Sequence, residues 1–275
     1  EIPAGVTLTT YHGRLVLTTE FDNISLARVS AVGEPEAISQ VDGLIVMGPL
    51  DGNPITNAQE FRDVLYLFKK TRTVAYNDNG DVPSSWPEVV IDQGIGASVH
   101  GVATVLDSGG VNIDFLIILD FSGVMLFDGL YKRPELSWKI VDLWYEQDRN
   151  NYDALEIQND SLNQFLYIAL PTKQILHANY QNGLDPKNIR WMIWTFDVEV
   201  TSIVLYETDT LIIASKGVFV PPPDNPAPLI LSILRADANP SANGTVSWII
   251  TFDIPDTGVT LANFTLLVTS LTGSP

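Results

Sequence analysis

The stretch Ile113-Asp-Phe-Leu-Ile-Ile-Leu-Asp-Phe-Ser-Gly-Val-Met-Leu-Phe127 decides the fold. It is an apolar run, a tight polar turn and a second apolar run. The runs are rich in β-branched and aromatic residues and bounded by Asp, Ser and Gly, which reads as two strands of a hairpin. Similar units occupy His12–Glu20, Arg62–Tyr76, Asn163–His177 and Thr201–Ser215. Aligned at Gly13, Arg62, Ile113, Asn163 and Thr201, they start 49, 51, 50 and 38 residues apart. A period near 50 residues with a central hairpin predicts β-propeller blades. Leu65 and Leu67, Ile117 and Leu119, and Leu166 and Ile168 sit at alternate positions, as on one inward face of a strand.

A single blade cannot bury both of its faces, so several must pack face to face around an axis. The expected fold is therefore all-β, a β-propeller of five or more blades, incomplete if strands lie outside this chain. A β-sandwich with irregular hairpins is the alternative; the near-constant intervals argue against it and the last, short one weakens that argument. Two segments depart from the strand pattern. Asn57–Phe68 is expected to begin as a short helical turn. Pro134–Asn151 carries Leu136, Ile140, Val141, Leu143 and Trp144 at closer to helical spacing, which predicts a short helix against the rim.

The run Val220-Pro-Pro-Pro-Asp-Asn-Pro-Ala-Pro228 holds five prolines in nine positions and predicts a stiff linker. The expected domains are thus a propeller over 1–219, a linker over 220–228 and a second domain over 229–275. In the last, Leu229–Leu234, Val246–Phe252 and Phe264–Val268 read as strands, with a turn at Asn243-Gly244. That is the opening part of an immunoglobulin-like sandwich, too short to complete one.

The 275 residues carry 15 Lys+Arg against 33 Asp+Glu, a net charge of −18, with 45% hydrophobic and 17% charged residues. This is a globular composition rather than a disordered one. The charge argues against a phosphate-gripping surface, which needs clustered cations. Residues 1–217 hold 14 basic and 29 acidic residues and 218–275 hold 1 and 4, so both parts are acidic. No apolar run reaches the length of a membrane span. The absence of cysteine excludes disulfides, thiolate metal sites and a cysteine nucleophile. Glu1–Tyr11 lacks a basic start and apolar stretch, and Leu271–Pro275 stops without a charged tail, so an internal fragment is expected.

Little of the sequence suggests chemistry. His12, His100 and His177 lie in three different units without metal-ligand spacing, so no metal site is expected. Ser98 and His100, in Gly94-Ile-Gly-Ala-Ser-Val-His-Gly101, lack a nucleophile elbow and a partner acid. That stretch reads as a glycine-rich blade strand rather than a phosphate-cradling loop. Asn77-Asp-Asn-Gly-Asp81, with Glu88 at the twelfth position, has the outline of a calcium loop but begins with Asn, and Asn79-Gly80 reads better as a tight turn. Carboxylate pairs for glycoside hydrolysis would converge only in three dimensions. The Asn-x-Ser/Thr sequences at Asn23, Asn159, Asn243 and Asn263 are expected by chance. No catalytic residue, cofactor site or metal site is expected.

Taken in order, Pro54-Ile-Thr, the hairpin Val64-Leu-Tyr-Leu-Phe-Lys to Thr73-Val-Ala-Tyr76, Ile91-Asp-Gln-Gly-Ile-Gly-Ala-Ser98, the hairpin ending Phe127-Asp-Gly129, and Leu136-Ser-Trp-Lys-Ile140 form a series. Phe165-Leu-Tyr-Ile-Ala-Leu-Pro171 and Arg190-Trp-Met-Ile-Trp194 continue it. The series, over residues 12 to 217, resembles the tail hub, or nozzle, β-propeller proteins of short-tailed bacteriophages. The stretch Ile233–Phe252 with Thr257–Phe264 resembles the first strands of bacterial immunoglobulin-like surface repeats.

The first resemblance implies a non-enzymatic virion protein. It would form a homo-oligomeric ring, contact a tail adaptor or connector and fibre or spike proteins, and let DNA pass without specific binding. An acidic wall would repel phosphates, so DNA would slide. The alternative is a secreted or surface propeller, extracellular, that presents loops to glycans; Trp86, Trp191 and Trp194 do not occupy equivalent repeat positions, which counts against it. A propeller hydrolase is a third reading.

Overall fold

The computed structural model describes residues 5–19, 25–48, 51–107, 113–146, 149–170, 172–206, 210–215, 230–235 and 248–252. The chain divides into two compact units, Glu1–Val220 and Pro221–Pro275. The described residues of both form antiparallel β-sheet, with little helix among them.

In the first unit, sheet one comprises β1 (Gly5–Tyr11), β2 (Arg14–Thr19), β3 (Leu26–Ala31) and β4 (Glu34–Ile38), with β5 (Leu44–Val46) also pairing β3. Sheet two runs β6 (Ile55–Phe61), β7 (Val64–Lys69), β8 (Arg72–Tyr76), β9 (Glu88–Asp92). Sheet three has β10 (Val102–Asp107), β11 (Ile113–Asp120) and β12 (Gly123–Phe127). It is followed by a 3₁₀ turn at Leu136–Ile140, the short helix α1 (Val141–Tyr145) and a second 3₁₀ segment at Arg149–Ala154. Sheet four runs β13 (Glu156–Asp160), β14 (Phe165–Ala169), β15 (Gln174–Asn179), β16 (Arg190–Thr195), and sheet five pairs β17 (Val200–Tyr206) with β18 (Thr210–Ser215). In the second unit, β19 (Ile230–Arg235) pairs β20 (Trp248–Phe252). The linker at 220–228, the turn at Asn243-Gly244 and the strand expected at Phe264–Val268 lie outside the described residues.

The sheets are meanders because their turns are local. β1 and β2 join through His12-Gly13 (φ +47° and +72°), and β6 and β7 through Arg62-Asp63 (φ +52° and +61°). Positive φ at both central residues gives the twist that two-residue hairpins need.

The core explains how the sheets are arranged. Side chains alternate across a strand, and in sheet two that alternation is divided between two neighbours. Leu65 and Leu67 pack with Val16, Val29 and Ile45 of sheet one. Tyr66 and Phe68 pack with Leu116, Ile118 and Met125 of sheet three. Ile117 and Leu119 face Leu166 and Ile168 of sheet four, while Tyr167 and Ala169 face Val200 and Ile203 of sheet five. Five sheets therefore stack in chain order, and the three inner ones bury both faces. Such strands read as continuous apolar runs, and each fully buried Leu, Ile or Phe is worth about 2 kcal/mol. No sheet closes on itself among the described residues.

The structure corrects three expectations. The second strands of successive sheets begin at Arg14, Val64, Ile113, Phe165 and Thr210, at intervals of 50, 49, 52 and 45 residues. The short last interval read from sequence arose because Thr201–Ser215 is the first-to-second hairpin of its sheet, whereas Ile113–Phe127 and Asn163–His177 span second and third strands. Asn57–Phe68 is not a helical turn but lies in β6 and β7. Buried Thr56 donates to the Ala97 carbonyl (2.6 Å) and Asn57 to that of Val99 (2.7 Å), and these tertiary bonds outweigh local helix propensity. The helical segment after β12 sends Leu136, Trp144 and Tyr152 into the core cluster shared by sheets three and four.

Gly94–Gly101 is a loop rather than a strand. A Cβ on Gly96 would collide with the Lys69 carbonyl, and the Gly96 N–H donates to buried Asp120 (3.0 Å). Only glycine lets the loop pass so close to sheet two.

Candidate functional site

The first strands β1, β6, β10, β13 and β17 are edge strands of their sheets, and several lie beside one another along one side of the stack. Between them runs an open groove of about 330 Å³ whose polar lining includes Thr7, Asn57, Gln59, His100, Glu156 and Gln158. Burial of alternate residues in the seams leaves the intervening polar ones here.

Two of these side chains tie separate elements together, Asn57 and Glu156, whereas Thr7 bonds Thr18 within sheet one, Gln59 the adjacent Glu60 carbonyl and Gln158 the Glu156 carboxylate on its own strand. The Glu156 carboxylate accepts from the Ile203 N–H (3.0 Å), tying sheet four to sheet five. The His100 carbonyl accepts from the Ile157 N–H (3.0 Å). Ser98 is fully buried and donates to the Leu155 carbonyl (3.2 Å), whereas His100 is exposed. The two residues two apart in sequence therefore do not form a nucleophile and base.

A second depression, about 510 Å³, lies beside Arg14, Ser30, Ser39, Asp42 and Asp81 in sheet one and the loop before β9. Its cation is committed: Arg14 donates to the Ser30 carbonyl (3.0 Å), sits 3.8 Å from Asp78 and lies over the Trp86 ring. His12 is 3.7 Å from Asp78 and 4.0 Å from Asp63, and stacks on Tyr11. Burial, with Asp78, Asp63 and Glu60 nearby, raises the Tyr11 phenol above its ordinary value despite a bond from the Asp78 N–H.

The segment Asn77–Asp81 is a pair of side-chain-closed turns. The Gly80 N–H donates to Asp78 (2.8 Å) and the Asp81 N–H to Asn79 (3.1 Å). Glu88 lies in β9 and accepts from Arg72 (3.0 Å) and Tyr76 (3.3 Å). Burial, then Glu88, pushes the Tyr76 phenol well up. Among the described residues no group of three or more His, Asp or Glu side chains is arranged to hold a metal ion.

Three buried polar groups carry no signal in the sequence. Lys69 is fully buried at the end of β7, and its ammonium donates to Asp51 (2.6 Å), the Gly48 carbonyl (3.0 Å) and Ser25 (3.2 Å). Burial pushes the Asp51 carboxyl up, but the bonds from Lys69 and the Asn53 N–H, with the charges of Lys69 and Arg72, outweigh it and hold it below the ordinary range. Asp120 is buried under the turn of sheet three, where it accepts from Gly96 and Ser122; burial dominates and raises its pKa. His177, on β15, is buried against Phe165, Tyr167 and Trp194, and neither ring nitrogen has a hydrogen-bond partner among the described residues. Burial lowers its pKa, and Asp160 only partly offsets this.

Trp86 is buried between sheets one and two, Trp191 is half-buried, and Trp194 is exposed on β16. They occupy different environments on different elements. No protein-family model matches the sequence, and no curated protein is similar to it.

Proposed function

We propose that residues 1–219 are a β-propeller serving as a non-enzymatic structural protein of a phage tail, a hub or nozzle that forms part of a ring-shaped conduit for DNA ejection. The observation that carries this reading is the serial stack: five antiparallel sheets about 50 residues apart, the inner ones buried on both faces. Radial stacking around an axis is the arrangement that continues this pattern and leaves the first strands innermost.

Two further features favour a structural role. Asn57, Glu156 and Ser98 are occupied in bonds between sheets and the segments beside them, and Arg14 in contacts with Ser30, Asp78 and Trp86. The net charge of −18 suits a wall past which DNA moves, since adhesion would need cationic neutralisation of phosphates. The partners of this reading are further copies of the chain, an adaptor or connector, and fibre or spike proteins. The second unit is then an immunoglobulin-like module.

Negative-stain images with light-scattering mass test the proposal. A ring of several copies that does not retain duplex DNA at low salt supports it. A stable monomer overturns it in favour of a surface glycan-binding propeller.

A further inference from the structure

The outer edges of the first four sheets differ in how they are protected. A free edge is a template for another strand, and proteins blunt it with Pro, charge or a covering segment. β4 is blunted by Pro35 between the exposed Glu34 and Glu36. β12 is covered: the Val124 N–H donates to Ser137 (2.9 Å) and the Leu126 carbonyl accepts from the Lys132 N–H (2.8 Å).

β9 and β16 have no proline and no covering segment among the described residues. In β9, Val89 and Val90 are 47% and 39% exposed; in β16, Met192, Ile193 and Trp194 are 48%, 47% and 37% exposed. Consecutive residues of a strand point to opposite faces. Exposure at consecutive positions therefore means that neither face is fully covered, although Ile91 and Trp191 reach the neighbouring cores. The two strands also carry opposite charge, Glu88-Val-Val-Ile-Asp92 against Arg190-Trp-Met-Ile-Trp-Thr195.

We infer that β9 of one copy adds to β16 of a second copy, edge to edge and antiparallel, as the repeating contact of the oligomer. The antiparallel sense places Asp92 beside Arg190, Val90 opposite Met192 and Val89 opposite Ile193, and it ends the pairing before Asp197. Main-chain bonds would supply affinity and the apolar pairs register. The contact joins two different surfaces, so it propagates and closes into a ring when the rotation permits. This inference rests on the self-assembling reading above and names the surface that reading leaves open.

The chain has no cysteine, which makes thiol cross-linking selective. The test is the full chain carrying Val90→Cys and Met192→Cys together, and each substitution alone, treated with a short bismaleimide. Both positions are exposed, and circular dichroism checks that the fold persists. The double variant is expected to give a ladder of covalent multimers on a reducing gel, and each single variant none. Multimers from Met192→Cys alone mean a two-fold β16–β16 contact and overturn the inference. An oligomer by light scattering in which the double variant gives no ladder also overturns it, while leaving the ring reading standing. A monomer at all concentrations removes both. As a second readout, Met192→Lys should reduce the oligomer to monomer without changing the circular dichroism spectrum.

Discussion

The seam between sheets one and two and the seam between sheets four and five each bury a basic side chain, and they treat it in opposite ways. Lys69 has three oxygen partners, one of them the Asp51 carboxylate at 2.6 Å. His177 has aromatic rings on its faces, with Tyr167 stacked at 5.1 Å and Phe165 edge-on at 4.4 Å, and no partner for either nitrogen among the described residues. A charge can be buried only if it is paired, so Lys69 marks a place where the loop around Gly48 and Asp51 is pinned to β7. An unpaired imidazole is tolerated only while neutral. The first seam is therefore specified by a polar contact, and the second by apolar packing that carries a polar penalty.

The largest break in this comparison should come from Asp51→Ala. It leaves the Lys69 ammonium buried without its counter-charge, and stability to urea should fall by about 3 kcal/mol, the low end for breaking a buried pair because Asp51 keeps some access to water. Lys69→Met should cost less, since a partly hydrated carboxylate remains. An equal loss from both would show that the pair acts through packing alone.

The two seams should also separate along the pH axis. The folded pKa of His177 is lowered, so the unfolded chain binds a proton first. Its contribution is intact above the unfolded value of 6.5 and is lost as pH falls from there through the folded value. The folded pKa of Asp51 is lowered as well, and here the sense is that of an acid. The stability it gives is present above 3.8 and lost only as pH falls below that through the folded value. Urea midpoints should therefore decline in two steps, the milder-acid step belonging to His177. His177→Phe should remove that step and raise stability at neutral pH by about 1 kcal/mol, the cost of unsatisfied nitrogens.

The smallest expected effect sets the scale for the others. Asp63 stands at φ +61° in the turn that accepts the Tyr11 hydroxyl, and its side chain is exposed. Asp63→Gly relieves a left-handed backbone at a non-glycine residue and should raise the urea midpoint by about 0.5 kcal/mol equivalent, at every pH where neither seam is titrating.

Where the strands lie was legible where the pattern was local. β11–β12 and β14–β15 were readable because a period of two and a polar turn sit within about fifteen residues, and the strongest runs are those buried on both faces. The phase of the hairpin at Thr201–Ser215 was not readable, because a first-to-second and a second-to-third hairpin look alike in sequence. The strand at Ile55–Phe61 was hidden because Asn-Ala-Gln-Glu suits a helix, and its strand state depends on bonds to residues some forty positions away. The candidate site was less legible still. Nothing around Lys69, Asp120 or His177 distinguishes them from exposed polar residues in strands and turns.

By itself, then, the sequence determined the class of structure: repeated short apolar runs, spaced by glycine and polar turns, commit the chain to antiparallel sheets through interactions between near neighbours. The tertiary structure decided which face of each strand meets which neighbouring sheet, which polar groups are buried and how each is satisfied, and which outer edges stay open. Those outcomes depend on contacts between residues far apart in the chain, whose free energies are set by burial and geometry.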